Sequence, residues 1–292
     1  MAYNLIEAEV KNVAVNVDKK KLLSNIGASS LLNYTRINTY IPAHKQRAII
    51  VATGPSLKDH KHLRKIRSLH NSGKYHLFSM NGSHDYLISK GIIPDFCVLF
   101  DASEGMEDII KKPFKQTTYL VASRCSPNLF KKLEGANIIL WDANDGIGEE
   151  ELLSDLGIKW MLVGGGISVG LRTLSLSYIL GYRSHDVFGL DSSIEASNTP
   201  PEANLTPTEG ILGIDHCHQM PASLDKLRGE QGDNISFWAK VGDKFWLISP
   251  WMHLQKNNYM DLIIQLHGAK IKHHTEGLIP YIHSLMEQNN VI

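Results

Sequence analysis

Thr53-Gly54-Pro55-Ser56-Leu57 stands between the apolar run Arg47-Ala48-Ile49-Ile50-Val51-Ala52 and a basic helical segment around residues 58–71. A glycine at the end of a buried strand lets a ligand approach the backbone, and the amides that open the next helix can face an anion. Ser56 would add a hydroxyl donor for a phosphate. A tight turn with no ligand uses the same residues. The pattern GxxxxGK[ST] is absent, so an NTPase of that type is not expected.

A second glycine-rich turn, Gly164-Gly165-Gly166-Ile167-Ser168, precedes a helix over about 168–181. It could form another anion-binding nest with Ser168 as the helix cap, or serve close helix–sheet packing. Asn81 and Asp101 each end an apolar run. The Asn81 amide suits a base or a ribose hydroxyl, and the Asp101 carboxylate suits a sugar hydroxyl or Mg²⁺. A turn residue and a helix cap are their structural alternatives. Asp191 ends the run Asp186-Val187-Phe188-Gly189-Leu190 and either faces ligand or holds the next loop in place.

The cluster Asp215-His216-Cys217-His218 contains metal-ligand types. No second cluster matches it, and residues two apart share a side only in extended chain. A better functional reading makes His218 or His216 a general base. Exposed loop histidines remain the plain alternative, and His273 and His274 read as surface residues.

These residues need a frame, and the chain supplies one. Short apolar runs at 47–52, 75–80, 96–100, 119–122, 137–141 and 186–191 alternate with helical segments. This order predicts an α/β fold with a doubly wound, mostly parallel, Rossmann-like sheet and helices on both faces. Ligands of such sheets bind beyond the carboxyl ends of the strands, where Gly54, Asn81, Asp101 and Asp191 fall. Residues 1–44 read as an N-terminal extension, and 45–292 as a nucleotide-binding domain. Within that domain, 192–245 reads as a long loop with little periodicity.

Thirty basic residues balance thirty acidic ones, which gives no sign of a general nucleic-acid or membrane-surface binder. Cys97, Cys125 and Cys217 are widely spaced, so neither a disulfide framework nor structural zinc is indicated. No signal peptide is visible, and no apolar stretch approaches the roughly 18 residues of a membrane span. The expectation is a soluble, cytoplasmic protein, with homo-oligomerisation through the first 44 residues left open.

Taken in order, the motifs resemble a known group. Ala48 through Leu57, then Asn81, Ile93-Pro94-Asp95-Phe96 and Asp101, resemble the 6-hydroxymethylpterin diphosphokinase MptE-like family, which includes bacterial motility accessory factors. Gly164 through Gly170, Leu180-Gly181-Tyr182, Gly189-Leu190-Asp191 and Gly277-Leu278-Ile279-Pro280 resemble its second half and tail. A more distant similarity is to bacterial sialyltransferases that use CMP-sialic acid, to which Ser249-Pro250 also looks alike. The sialyltransferases carry "GNGPSL" where this chain has Ala52-Thr53-Gly54-Pro55-Ser56-Leu57, and the insert 192–215 is its own.

The resemblance implies a nucleotide-dependent transferase. In the leading reading a sugar passes from a CMP-sugar donor to a small-molecule or glycan acceptor hydroxyl. No obligatory cofactor is needed, and His218 or His216 takes the proton. In the alternative, ATP with Mg²⁺ held by Asp101 and Asp191 gives a diphosphate to a pterin-like hydroxymethyl group. A nucleotide-binding module without turnover is the third reading.

Overall fold

The structure, a computed structural model, describes residues 18–198 and 237–292. Its centre is a parallel sheet. Strand β2 (Arg47–Val51) shows why: Ala48 and Ile50 point into one core and Ile49 and Val51 into another, all fully buried. A strand covered on both faces needs an unbroken apolar run, which this segment has.

The other strands are β1 (Thr35–Arg36), β3 (Tyr75–Met80), β4 (Phe96–Leu99), β5 (Thr118–Ala122), β6 (Asn137–Ala143), β7 (Leu162–Val163), β8 (Ser184–Phe188) and β12 (Lys270–His273). The order across the sheet is β1-β6-β5-β4-β3-β2-β8-β12, with every pair parallel, and β7 pairs with the end of β6. The chain therefore builds outward from β2 to β6, then returns to lay β8 on the other side of β2. That reversal leaves a crevice between the carboxyl ends of β2 and β8.

Helices cover both faces. On one, α2 (His60–His70) and α3 (Ser83–Ser89) bury Leu63, Ile66 and Leu87. Asp59 caps α2 by accepting from the Lys61 amide at 2.8 Å. The larger core holds α6 (Val169–Ile179), buried around nearly its whole circumference, with α7 (Pro250–Gln265) and α8 (Leu278–Gln288). Shorter helices α4 (Pro127–Lys132) and α5 (Glu149–Asp155) follow β5 and β6.

From Asp18 onward the N-terminal segment packs on the domain, and its residues 35–36 join the sheet. Helix α1 (Lys19–Ser30) packs near β5, where Asn25 donates to the Arg124 carbonyl at 2.9 Å, and β1 pairs with β6. The long irregular stretch also contains strands. β9 (Glu195–Ser197), β10 (Phe237–Val241) and β11 (Lys244–Ile248) form an antiparallel sheet of their own. Gly242, at φ +60°, turns β10 into β11 across Gly242-Asp243, and Trp246 and Ile248 alternate inward. Cys97 and Cys125 are free and buried. No helix among the described residues is long and apolar enough to cross a membrane.

Candidate active site

The crevice between β2 and β8 is closed by the residues that line it. Ser56 donates its amide to Asp191 Oδ2 at 2.9 Å and its hydroxyl to Asp191 Oδ1 at 2.7 Å. The Gly54 amide donates to the Gly189 carbonyl at 2.8 Å. A side chain at Gly54 would put its Cβ 2.7 Å from Asp191 Cγ, so this glycine is required by the approach of two loops. Pro55 opens a 3-10 turn over Pro55–Lys58, Leu57 is fully buried beneath it, and Thr53 is half-buried at its entry.

Asp191 is 4% exposed. Burial pushes its carboxyl above the ordinary value, and the Ser56 hydroxyl and amide, with Thr275, act against that shift. Of the two roles open to Asp191, its geometry is that of a residue holding the loops together. Both of its oxygens are engaged by Ser56, which leaves less of the carboxylate for a Mg²⁺ ion. Ser56 likewise spends both of its donors on protein rather than on an anion.

The second glycine turn lies beside the first. Gly170, in the first turn of α6, lies close under Leu190 and Met80: a Cβ there would meet Leu190 Cδ1 at 2.7 Å, and Met80 Sδ would stand at 3.7 Å. The N-terminus of α6 therefore rests on the residues just before Asp191 and Asn81. Ser168 caps α6 by accepting from the Leu171 amide at 3.3 Å. Gln255 of α7 donates to Ser168 Oγ at 2.8 Å and accepts from Ser192 Oγ at 2.8 Å, tying this turn to the segment after Asp191.

Asn258, one turn further along α7, accepts from the Ile167 amide at 3.2 Å. It fills the place of a Gly166 side chain, whose Cβ would lie 2.6 Å from that of Asn258, and Gly166 sits at φ +73°. Gly166 is thus needed for backbone shape and for the approach of α7. Gly164 differs: it is exposed, and a Cβ there meets nothing within 4 Å.

Asn81 follows β3 in the left-handed region at φ +42°. Its side-chain Oδ1 is buried and has no hydrogen-bond partner. Asparagine enters this region more readily than most non-glycine residues, so the turn accounts for the backbone, and the unpartnered amide oxygen is the feature the turn does not use. Asp101, past β4, accepts from the Ser103 amide at 2.9 Å and hydroxyl at 2.7 Å, a turn of its own rather than a helix cap.

Sequence reasoning missed the scaffold under this edge. Arg172 of α6, 3% exposed, donates to the carbonyls of Gly166, Val163 and Asn144 and to Asp145 Oδ1. Burial lowers its pKa to about 10, against the pull of Asp145. Arg124 meets the other oxygen of Asp145, and both guanidinium groups lie over Phe100, at 4.5 and 5.2 Å from the ring centre. The signal was present, since Arg172 is the one charged residue within an otherwise apolar and small helix. A further nest after β6 is filled from within: Glu149 accepts from the amides of Asp145, Gly146 and Ile147. Burial pushes the Glu149 carboxyl up, but these amides hold it below the ordinary value.

His216 and His218 lie outside the described residues. His273 and His274 are not surface residues. The His274 ring stacks on Phe188 and pairs with Asp186 at 2.6 Å, while His273 shares the Tyr259 hydroxyl with His283 at 2.9 and 2.7 Å. Ser249 caps α7, accepting from the Met252 amide at 3.3 Å. Among the described residues, no three His, Cys, Asp or Glu side chains group as a metal site.

The family model described as 6-hydroxymethylpterin diphosphokinase MptE-like matches residues 20–196. No curated protein sequence matches. Among solved structures, the fold is similar to the MAf glycosyltransferase from Magnetospirillum magneticum AMB-1, with a TM-score of 0.63 at 14% identity. That similarity covers 91% of this chain but only 38% of the larger protein.

Proposed function

This chain belongs to the 6-hydroxymethylpterin diphosphokinase MptE-like family, and from that premise we propose that it is a transferase moving a sugar from a CMP-sugar to an acceptor hydroxyl. The observation that carries the reading is the convergence of Asn81, Gly164–Ser168 and the Gly54–Asp191 closure on one edge of the sheet, at its topological switch. The amides of Gly164 and of the first turn of α6 meet the donor phosphate as charge develops on the leaving group. The Asn81 carboxamide accepts from the nucleoside, satisfying an oxygen that otherwise has no partner. Asp101 offers its remaining carboxylate oxygen to a sugar hydroxyl. Ser56 and Asp191 keep the two loops in register.

The proton from the acceptor goes to His218 or His216 in this reading. Sugar transfer is preferred to Mg²⁺-dependent diphosphate transfer because Asp191, one of the two carboxylates the latter needs, is buried and already engaged by Ser56. The fold shared with a glycosyltransferase supports the same choice. The test is release of CMP from CMP-sugars with and without glycan acceptors, in wild type, His216→Ala and His218→Ala. CMP release that one histidine variant abolishes supports the proposal. AMP formed from ATP with Mg²⁺ and a pterin alcohol, and no CMP release, would overturn it.

A further inference from the structure

Helix α2 carries a face that the donor site does not use. Its inward positions are His62, Leu63 and Ile66. The outward positions at helical spacing are Lys61, Arg64, Lys65 and Ser68, with Arg67 on the flank, all of them exposed. The Arg67 guanidinium donates to the Lys90 carbonyl at 2.6 Å, which sets the exposed Lys90 beside this face, and the turn after α2 adds exposed Lys74. The nearby acids offset part of this charge, Asp59 at Lys61 and Glu276 near His62, and leave Arg64, Lys65, Arg67, Lys74 and Lys90 in excess along this side. Asp59 caps α2 and pairs with Lys61 at 3.1 Å. Asp85 is taken by His84 and the Lys111 amide, and Asp95 by His70 and the Leu77 amide. A formal charge of zero for the whole chain is an average that hides this concentration.

We propose that the α2 face adsorbs the protein onto an anionic lipid surface. The charges run along a helix about 16 Å long. The helix sequence His60–His70 has no Phe, Tyr or Trp on which a base could stack. What remains is a broad field suited to a broad anionic plane, to which each Lys or Arg near the surface adds about fivefold in affinity. Because α2 starts where the Gly54–Leu57 turn ends, adsorption lays the carboxyl edge of the sheet alongside the lipid plane and within reach of acceptors there. This holds whatever the donor is.

The experiment is co-sedimentation of the full chain with vesicles of phosphatidylcholine, alone or mixed with phosphatidylglycerol, over a salt series. The comparison variants are Arg64→Glu/Lys65→Glu and a control of equal charge change, Lys112→Glu/Lys131→Glu. All four residues are exposed, and unchanged thermal unfolding checks the fold. Expected are binding only to the phosphatidylglycerol vesicles, its loss as salt rises, and about a 25-fold or greater weakening in the α2 variant alone. No vesicle binding at low salt, or equal weakening in the control, overturns the proposal. So does tighter binding of RNA or an acidic peptide that the α2 variant alone abolishes.

Discussion

Ser56→Ala separates two roles for one hydroxyl. If Ser56 faced a phosphate, its removal would weaken nucleotide binding and leave the fold untouched. The structure instead gives that hydroxyl to Asp191 Oδ1 at 2.7 Å, on a carboxylate only 4% exposed. Losing a hydrogen bond to a buried charged group costs about 1.5–3 kcal/mol. The Ser56 amide stays on the other oxygen, so a loss near 2 kcal/mol is expected, equivalent to about 3 °C in Tm for a chain of this size.

The pH dependence follows from the sign of the shift. Burial holds the folded-state value of Asp191 above 3.8, so the native protein binds that proton more tightly than the unfolded chain. Its contribution to stability therefore falls as pH rises from 3.8 through the folded value. Removing the hydroxyl raises the folded value further. The penalty of Ser56→Ala is then full at neutral pH and shrinks as Asp191 becomes protonated on acidification. Thermal unfolding at neutral and acidic pH, with Ser56→Thr as the variant that keeps a hydroxyl, measures both effects. An unchanged Tm together with weakened nucleotide binding would refute the reasoning and put Ser56 on the ligand.

Arg172→Met leaves Asp145 Oδ1 and the Gly166, Val163 and Asn144 carbonyls without their Arg172 donor, Arg124 remaining on Asp145 Oδ2, and should cost about 3 kcal/mol in chemical denaturation. A loss below about 1 kcal/mol, the size of an ordinary exposed contact, would contradict the scaffold role. Asn258→Ala frees the Ile167 amide and loosens the Gly164–Ser168 turn. It should weaken donor binding in titration calorimetry while costing only about 1 kcal/mol of stability, and unchanged binding would count against the site. Burial pushes His185 down to about 4 and His273 down to about 3, so both are neutral in the fold. Stability is then full above 6.5 and falls as pH drops below it, by at most about 1.4 kcal/mol per pH unit for each ring. A denaturation midpoint that stays flat across that window would show that these rings titrate normally.

Much of the frame was legible because parallel strands covered on both faces must be continuous apolar runs, as at 47–51 and 96–99. The edge residues were legible because strand ends in such a sheet share one side. Strands β1 and β7 were not, since two-residue elements carry no periodicity. Phe237-Trp238-Ala239-Lys240-Val241 and Lys244-Phe245-Trp246-Leu247-Ile248, joined by Gly242-Asp243, did carry a hairpin signal, hidden by its place within an irregular stretch. Glycines at 54 and 166 suggested anion nests, but glycine serves equally where another side chain takes the space. Asp191 crowds the first, and Asn258 takes that space at the second. His273 and His274 look polar in a list of residues, yet Tyr259, Asp186 and Phe188 give them buried partners that arrive from distant parts of the chain.

The most direct test of the nucleotide site uses Gly164, where a side chain has open space and the backbone is not in the left-handed region. Gly164→Asp should therefore fold normally while placing a carboxylate where the donor phosphate is proposed to sit. The measurement is a thermal-shift series with CMP, CDP, UDP and ATP, each with and without Mg²⁺, on wild type and on Gly164→Asp. The account predicts that CMP without metal raises the Tm of wild type, and that Gly164→Asp keeps the unliganded Tm and loses the rise. No rise with any nucleotide, or a rise that Gly164→Asp leaves intact, would contradict it.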